Sequence, residues 1–140
     1  MMKRIFFTAI IALMAMACGQ SGQSSSQTTG AEMVDEAKVT VYYFHGRMRC
    51  QTCLNIQSVV NSAVEENFAD NDEVTFVEID FSDRANAALA DKYEIAFSSV
   101  VIATANAHTN LTDEAFAMVM NNPDGLRQLV VDETNKYLNN

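Results

Sequence analysis

The sequence predicts an α/β domain, in which a sheet of short strands carries helices packed on it. From residue 38 onwards, runs of β-branched and aromatic residues alternate with segments whose apolar residues recur at helical spacing. Hydrophobic residues make up 49% of the chain and charged residues 19%, a balance typical of globular proteins rather than disordered ones. The length of 140 residues suits one such domain once a targeting segment is set aside.

The N-terminal segment is expected to be a signal peptide at residues 1–17. Lys3 and Arg4 form a short positive region, and the apolar stretch 5–17 is shorter than the roughly 20 residues of a membrane-spanning helix. The stretch ends in "AMAC", which resembles a bacterial lipoprotein signal, so we expect lipidation at Cys18. The alternative is a plain secretory signal cut near Ala17, with Cys18 as an incidental thiol.

Residues 18–36 are expected to form the lipidated cysteine and a flexible tether. The stretch 19–31 carries no charge and is rich in glycine and serine, as in flexible linkers. Each buried methylene of an acyl chain contributes about 0.8 kcal/mol, so a multiply acylated Cys18 would be a stable anchor. The sequence therefore predicts a domain at 37–140 that is lipid-anchored in a bacterial cell envelope, facing the periplasm or otherwise extracytoplasmic.

The charge of the chain argues against a nucleic-acid partner. The net charge is −9, and without Lys3 and Arg4 the 9 basic residues fall to 7 against 18 acidic ones, a net charge of −11. Nucleic-acid binding proteins show clustered lysine and arginine instead. An acidic surface also disfavours electrostatic binding to membranes, so we expect membrane contact only through the lipid anchor.

Three segments are predicted to be strands. They are 38–44 ("KVTVYYF"), Val74–Asp80 ("VTFVEID") and 98–105 ("SSVVIATA"). The stretch 106–110 ("NAHTN") is interpreted as a turn or a weak short strand. Helical segments separate the three strands, so the first two connections are interpreted as right-handed crossovers between parallel strands.

Four segments are predicted to be helices. The first follows the cysteines and has an apolar stripe of Leu54, Ile56, Val59, Val60, Ala63, Val64 and Phe68. The second is capped by Ser82 or Asp83, and its side chains expected to face the core are those of Ala85, Ala88, Leu89 and Tyr93. A short third helix is capped by Thr112 or Asp113. The last begins near Pro123, with an apolar face of Leu126, Leu129, Val130, Tyr137 and Leu138.

Two cysteines, Cys50 and Cys53, stand between the first strand and the first helix. With Cys18 assigned to the anchor they are the only pair, and a disulfide over so short a loop constrains little of the unfolded chain. Cys50 would lie at the N-terminal end of the helix, where free N–H groups and the helix dipole favour a thiolate. Arg47 and Arg49 would further lower the thiol pKa, stabilise the reduced form and favour an oxidising couple.

The pattern resembles the thioredoxin superfamily over roughly residues 38–138. "VTVYYFHGRMRCQTC", "VTFVEID" and "ALADKYEIAFSSVVIA" fall in family order, and "YFHG…RCQTC" is similar to a small envelope family, the nitrophenyl compound nitroreductase subunit (ArsF) family. The resemblance implies a thioredoxin-like fold, with a central mixed sheet and helices on both faces. It also implies thiol–disulfide exchange or electron transfer through catalytic Cys50 and Cys53, with protein thiols or a redox partner protein and no cofactor.

The sequence departs from the thioredoxin pattern around the dithiol. Arg49 replaces the tryptophan before the first cysteine, and "QT" replaces Gly-Pro between the cysteines. The superfamily's cis-proline is missing and Ser99 fills its place, where we expect a trans bond because a non-proline cis bond costs about 3–4 kcal/mol. The family's buried acid is also not evident. We interpret His45 as either a nearby proton carrier or a structural residue that closes the strand.

A metal site is the alternative to redox chemistry. "MRCQTC" fits the M-x-C-x-x-C pattern of copper-chaperone domains, and thiolate and thioether ligands suit Cu(I). That resemblance covers only six residues, and those domains have a different order of strands and helices. A structural zinc site needs four ligands and an iron–sulfur cluster four thiolates, so we predict no resident metal. A third interpretation is a non-catalytic adaptor whose two thiols are inert.

Overall fold

A computed structural model describes residues 37–140 of the chain. The strands are β1 (Val39–His45), β2 (Val74–Asp80), β3 (Ser99–Ala103) and β4 (His108–Asn110), and the helices are α1 (Gln51–Phe68), α2 (Ala87–Lys92), α3 (Thr112–Met118) and α4 (Pro123–Leu138). A 3₁₀ turn, Arg84–Asn86, precedes α2. The predicted signal peptide, Cys18 and the tether lie outside the described residues. Within those residues, no helix combines the length and the apolar character that crossing a membrane requires.

The four strands form one mixed sheet in the order β2–β1–β3–β4. β1 and β2 are parallel, as the first crossover predicts, with Val39 opposite Val74. β3 runs antiparallel to β1, so the prediction of a third parallel strand is wrong. The reason is the path of the chain: α2 and its flanking turns bring it back to the end of the sheet where β2 finishes, whereas a third parallel strand would have to start at the opposite end. The chain therefore enters β3 beside Phe44, at the edge of the sheet where β2 ends.

Helices cover both faces of the sheet because β1 alternates its side chains between two apolar clusters. Val39, Val41 and Tyr43 pack with α1, α3 and α4 in a main core. Tyr42 and Phe44 face the opposite side and pack with α2 and its flanking residues in a second core. All seven residues of β1 are buried. This central strand therefore gives the site at its C-terminal end a rigid base.

The helices follow the predicted apolar patterns with a few exceptions. Ile56, Val60, Ala63, Val64 and Phe68 of α1 are buried as predicted. Leu54 was expected on the same stripe but is 40% exposed, because the buried stripe of α1 runs through Cys53 and Ile56 and Leu54 lies about 100° around the helix from Cys53. Ala85 and Ala88 are also exposed, and Ala90 is the buried alanine of α2.

The predicted start of the last helix is confirmed. α4 begins at Pro123, and the side chain of Asn122 caps it by accepting a 3.0 Å hydrogen bond from the Gly125 N–H. Leu126 and Val130 of α4 are fully buried in the main core. α4 packs mainly on α1, so it supports the helix that carries the cysteines.

Candidate dithiol site

Cys50 and Cys53 form a disulfide at the N-terminal end of α1. Cys50 is the N-cap residue, and its extended backbone joins the loop to the helix. Cys53 lies in the first turn, and the two Cα atoms are 5.1 Å apart, inside the usual range for disulfides. The prediction of a CxxC dithiol at a helix start is therefore confirmed in its geometry.

The two cysteines differ in exposure. Cys50 is exposed, whereas Cys53 is only 7% exposed. The Sγ of Cys50 accepts a 3.2 Å hydrogen bond from the backbone N–H of Cys53, which is one of the unpaired donors of the helix start. After reduction the same donor and the helix dipole favour a negative charge on Cys50. The geometry thus makes Cys50 the accessible sulfur and Cys53 the protected one.

Tyr43 joins the sheet to the dithiol turn. Its hydroxyl donates a 2.7 Å hydrogen bond to the carbonyl oxygen of Cys53. Burial raises the pKa of Tyr43, partly offset by a hydrogen bond with the Ser98 side chain, so the phenol stays a neutral donor. Ser98 precedes β3, so Tyr43 brings that loop to the dithiol turn.

Arg49 lies at the centre of a polar network that reaches away from Cys50. Its Nη1 donates to Gln57 Oε1 at 2.7 Å, and its Nη2 donates to His45 Nε2 at 2.5 Å and also to Glu78 Oε1. Gln57 Nε2 donates to Glu78 Oε2 at 2.6 Å. The network thus links β1, the loop, α1 and β2 in one closed set of hydrogen bonds.

The tautomer of His45 follows from its neighbours. Its Nδ1 lies 3.0 Å from the carbonyl oxygen of Gly46 and so carries the hydrogen, which leaves Nε2 to accept from Arg49. Nε2 also lies 3.0 Å from Glu78 Oε1. A proton on Nε2 would therefore exchange the hydrogen bond with Arg49 for one with Glu78.

Arg47 is exposed and lies near Asp80, at the end of β2. With His45 it contributes to a lowered pKa of Asp80, although the largest causes are hydrogen bonds from the hydroxyl and N–H of Ser82. The loop itself packs closely on Phe81, since a Cβ at Gly46 would meet the Phe81 ring at 3.2 Å. Glycine at this position thus allows the ring to lie against the loop backbone.

Ser99 is the first residue of β3 and is buried on the face that carries the second core. Its hydroxyl donates to the Phe97 carbonyl at 2.8 Å. The peptide bonds of the described residues are all trans, including the one between Ser98 and Ser99. The serine that reaches Tyr43 is Ser98. Ser99 therefore contributes to the shape of the loop and not to the polar contacts of the dithiol turn.

The structure gathers most of the predicted site residues and adds four that sequence reasoning missed. Cys50, Cys53, His45 and Arg49 lie together, and the additions are Tyr43, Gln57, Glu78 and Ser98. Glu78 is the most informative of them, because a charged residue within an apolar strand is a detectable signal in "VTFVEID". Within residues 37–140, no three His, Cys, Asp or Glu side chains are grouped to hold a metal ion.

Comparisons with known proteins support the fold. No protein-family model matches the chain, and no curated protein sequence matches it significantly. Among solved structures, the zinc-bound form of human ERp44 aligns with a TM-score of 0.51 and 16% identity, covering 74% of this chain and 30% of that one. Form I of human ERp44 gives a TM-score of 0.50 at 16% identity, covering 75% and 28%.

A thioredoxin from Fasciola hepatica is 21% identical and covers 73% of this chain and 85% of that one, with a TM-score of 0.46. The chain spans only about 30% of the ERp44 chains, and at these identities the likeness concerns the fold alone. The strand order β2–β1–β3–β4, the antiparallel β3 and the dithiol at the start of α1 agree with it. The predicted fold, a mixed α/β sheet with helices on both faces and a dithiol at a helix start as in thioredoxin-like domains, is therefore confirmed by the architecture itself.

Proposed function

We propose that this domain is a thiol–disulfide oxidoreductase or electron-transfer protein that cycles Cys50 and Cys53 between dithiol and disulfide. The observation that carries the proposal is the contrast between an exposed Cys50 at the helix start and a protected Cys53 one turn further on. A pair of structural thiols would have no need of this asymmetry. The thioredoxin-like fold supports the same class of chemistry.

The proposed exchange proceeds in two balanced steps. The Cys50 thiolate attacks a disulfide of the partner protein, forms a new S–S bond and releases one partner sulfur as a thiolate. The Cys53 thiolate then attacks Cys50 Sγ, forms the intramolecular disulfide and releases the second partner sulfur. Two electrons pass to the partner, and the reverse sequence oxidises a partner dithiol. Both ring nitrogens of His45 are engaged by Gly46, Arg49 and Glu78, so solvent at the exposed Cys50 can supply or take up the proton of the exchange.

Large apolar side chains near the disulfide support a protein partner. Met48 is 92% exposed, Phe97 56% and Leu54 40%. Phe97 adjoins Ser98, which contacts Tyr43, and Leu54 follows Cys53 directly. Met120 is 60% exposed and its sulfur accepts a hydrogen bond from Asn55, on the same helix as the cysteines. A polypeptide that presents a disulfide could cover these apolar groups while it reacts.

A lipoprotein location is the second part of the proposal. The "AMAC" segment, the positive n-region and the uncharged tether support lipidation of Cys18, and the similarity of "YFHG…RCQTC" to the ArsF family supports an envelope protein. Fractionation of cells that produce the wild-type chain or Cys18→Ser tests the location. We expect the wild type in the membrane fraction and the variant outside it. An equal distribution of the two would contradict the anchor.

Trapping of a mixed disulfide tests the redox proposal. In Cys53→Ser the second step is blocked, so Cys50 should stay bound to its partner through a bond that reductant releases. Cys50→Ser is the matched control, because it retains a thiol but lacks the accessible one. The absence of reductant-sensitive adducts in Cys53→Ser, or equal adducts in both variants, would contradict an oxidoreductase.

A Cu(I) carrier is the second candidate function, and the exposure of Met48 favours it. The thioether stands free two residues before Cys50, so the reduced dithiol and Met48 could supply three soft ligands. Titration of the reduced chain with Cu(I) tests this candidate. Stoichiometric binding that weakens in Met48→Leu, together with no disulfide exchange, would favour metal carriage over redox chemistry.

A further inference from the structure

We propose that Glu78 is a positioning residue that holds the positive charge of Arg49 away from the dithiol and so sets the reactivity of Cys50. The inference rests on the proposed redox role of the dithiol and adds a regulator of the same site. Glu78 lies on β2, 25 positions beyond Cys53 in the chain, and touches neither sulfur. It acts through Arg49, the residue that immediately precedes Cys50.

The contacts of Arg49 all lead towards the sheet and the second turn of α1. Its guanidinium bonds Glu78, His45 and Gln57, and within residues 37–140 none of its hydrogen bonds goes to a sulfur. Gln57 follows Cys50 by seven positions, which is about 10 Å along a helix. A guanidinium held between that side chain and β2 is displaced from the helix start where the thiolate forms.

The carboxylate of Glu78 is itself fixed in this position. Gln57 donates to its Oε2 at 2.6 Å while Arg49 bonds its Oε1. The side chains of Arg49 and Glu78 are 25% and 34% exposed, so the pair is partly shielded from solvent. The two opposite charges lie together and largely cancel at the distance of Cys50. The positive charges left to act on the thiolate are Arg47 and the helix dipole.

Loss of the Glu78 carboxylate would have two effects of the same sign. One negative charge disappears, and Arg49 becomes free to turn towards the thiolate, which an opposite charge stabilises. Both effects raise the thiolate fraction of Cys50 and favour the reduced dithiol, so the couple becomes more oxidising. Only the second effect depends on Arg49, and this dependence separates a positioning role from simple charge removal.

The test measures the alkylation rate of Cys50 as a function of pH in the full-length chain carrying Cys18→Ser and Cys53→Ser. Cys50 is then the only thiol. The variants are Glu78→Gln, Glu78→Asp and the control Asp80→Asn, each with Arg49 or with Arg49→Gln. Asp80→Asn removes a charge from the same strand, two residues beyond Glu78. The titratable and charged groups at this end of the sheet include Tyr43, His45, Arg47, Arg49, Glu78, Asp80, Asp83 and Arg84.

When Arg49 is present, we expect Glu78→Gln to raise the alkylation rate of Cys50 at neutral pH about threefold to tenfold. When Arg49 is replaced by glutamine, the factor by which Glu78→Gln raises the rate should be less than half as large. Glu78→Asp keeps the charge but withdraws it from Arg49 by one methylene, so it should also raise the rate. Asp80→Asn should raise the alkylation rate by one small factor, and this factor should be the same with Arg49 and with Arg49→Gln. At alkaline pH the rates of all variants should converge to within about threefold, because every thiol is ionised and a thiolate of lower pKa is only somewhat less nucleophilic.

Equal effects of Glu78→Gln with and without Arg49, or a wild-type rate in Glu78→Asp, would overturn the proposal. Glu78→Asp also covers the case in which the glutamine variant does not fold. The readout needs no partner protein, so the result is independent of mixed-disulfide trapping. Trapping could thus fail while Glu78 still controls the thiol, and the two proposals are tested separately.

Discussion

The hydroxyl of Tyr43 donates a 2.7 Å hydrogen bond to the carbonyl oxygen of Cys53, so a buried residue of the central strand holds the turn that carries the protected sulfur. Tyr43 is fully buried, and its ring packs in the main core. The position of the dithiol is thereby tied to the most rigid part of the fold.

Tyr43→Phe should destabilise the domain by about 1–2 kcal/mol, because the change removes the hydroxyl's hydrogen bonds to the Cys53 carbonyl and with Ser98 but little volume. Chemical denaturation of the oxidised protein measures the free energy of unfolding. Tyr93→Phe is the matched control: Tyr93 is also buried, and within residues 37–140 its hydroxyl has no hydrogen-bond partner. Equal losses in the two variants would contradict a specific role for the Tyr43 hydroxyl.

The two thiols of the reduced domain should differ in their reaction with iodoacetamide. Cys50 is exposed and stabilised as a thiolate, whereas Cys53 is 7% exposed, so we expect Cys50 to be alkylated at least about tenfold faster. Mass spectrometry of peptides after brief labelling gives the ratio. Predominant labelling of Cys53 would reverse the assigned roles.

Leu126→Ala should be among the most destabilising changes in the chain. Leu126 is 0% exposed in the main core, and truncation of a buried leucine costs about 2–5 kcal/mol. Leu54→Ala makes the same chemical change at a site that is 40% exposed, where a cost within about 0.5 kcal/mol is expected. Thermal unfolding of both variants measures the contrast, and similar melting temperatures would show that the assigned burial is wrong.

Tyr42 should make the domain sensitive to alkali. Burial, and secondarily the neighbouring Tyr93, raise the pKa of Tyr42 from 10.0 to about 12. Because the folded state holds the proton more tightly, the stabilisation is complete below pH 10 and is lost as the pH rises from 10 towards 12. Denaturation at a series of alkaline pH values measures this loss. In Tyr42→Phe the free energy of unfolding should fall less between pH 10 and pH 12 than in the wild type. An equal fall in both proteins would contradict the assignment of this loss to Tyr42.

Local sequence patterns were sufficient to predict the elements. Val74–Asp80 matches its predicted bounds, and Pro123 begins α4, because apolar runs and capping residues act within a few positions. The direction of β3 could not be obtained in this way, since strand pairing depends on which distant segment lies alongside. Alanine is also weak evidence for burial, which explains the errors at Ala85 and Ala88.

In the candidate site too, the relationships between residues close in the sequence could be predicted, and those between distant residues could not. Cys50 and Cys53 lie three positions apart, so their chemistry could be predicted from spacing and from the helix that follows. The partner that controls Arg49 could not, because Glu78 lies 29 positions away on β2 and meets the loop only after the parallel pairing of β1 and β2 forms. The predicted roles of His45, Arg47, Arg49 and Ser99 stay predictions, and the Arg49→Gln variants test the one for Arg49.

The closure of the disulfide within one helical turn connects redox chemistry to folding through a thermodynamic cycle. Oxidation and unfolding are two sides of this cycle. The change in reduction potential on folding, converted to free energy through ΔG = −nFΔE, therefore equals the difference in the free energy of unfolding between the reduced and oxidised domains. A ring so short restricts the unfolded chain little, which leaves the folded environment of Cys50 as the main source of that difference. Denaturation curves of the two forms would therefore reveal how strongly the helix start and Arg47 bias the couple.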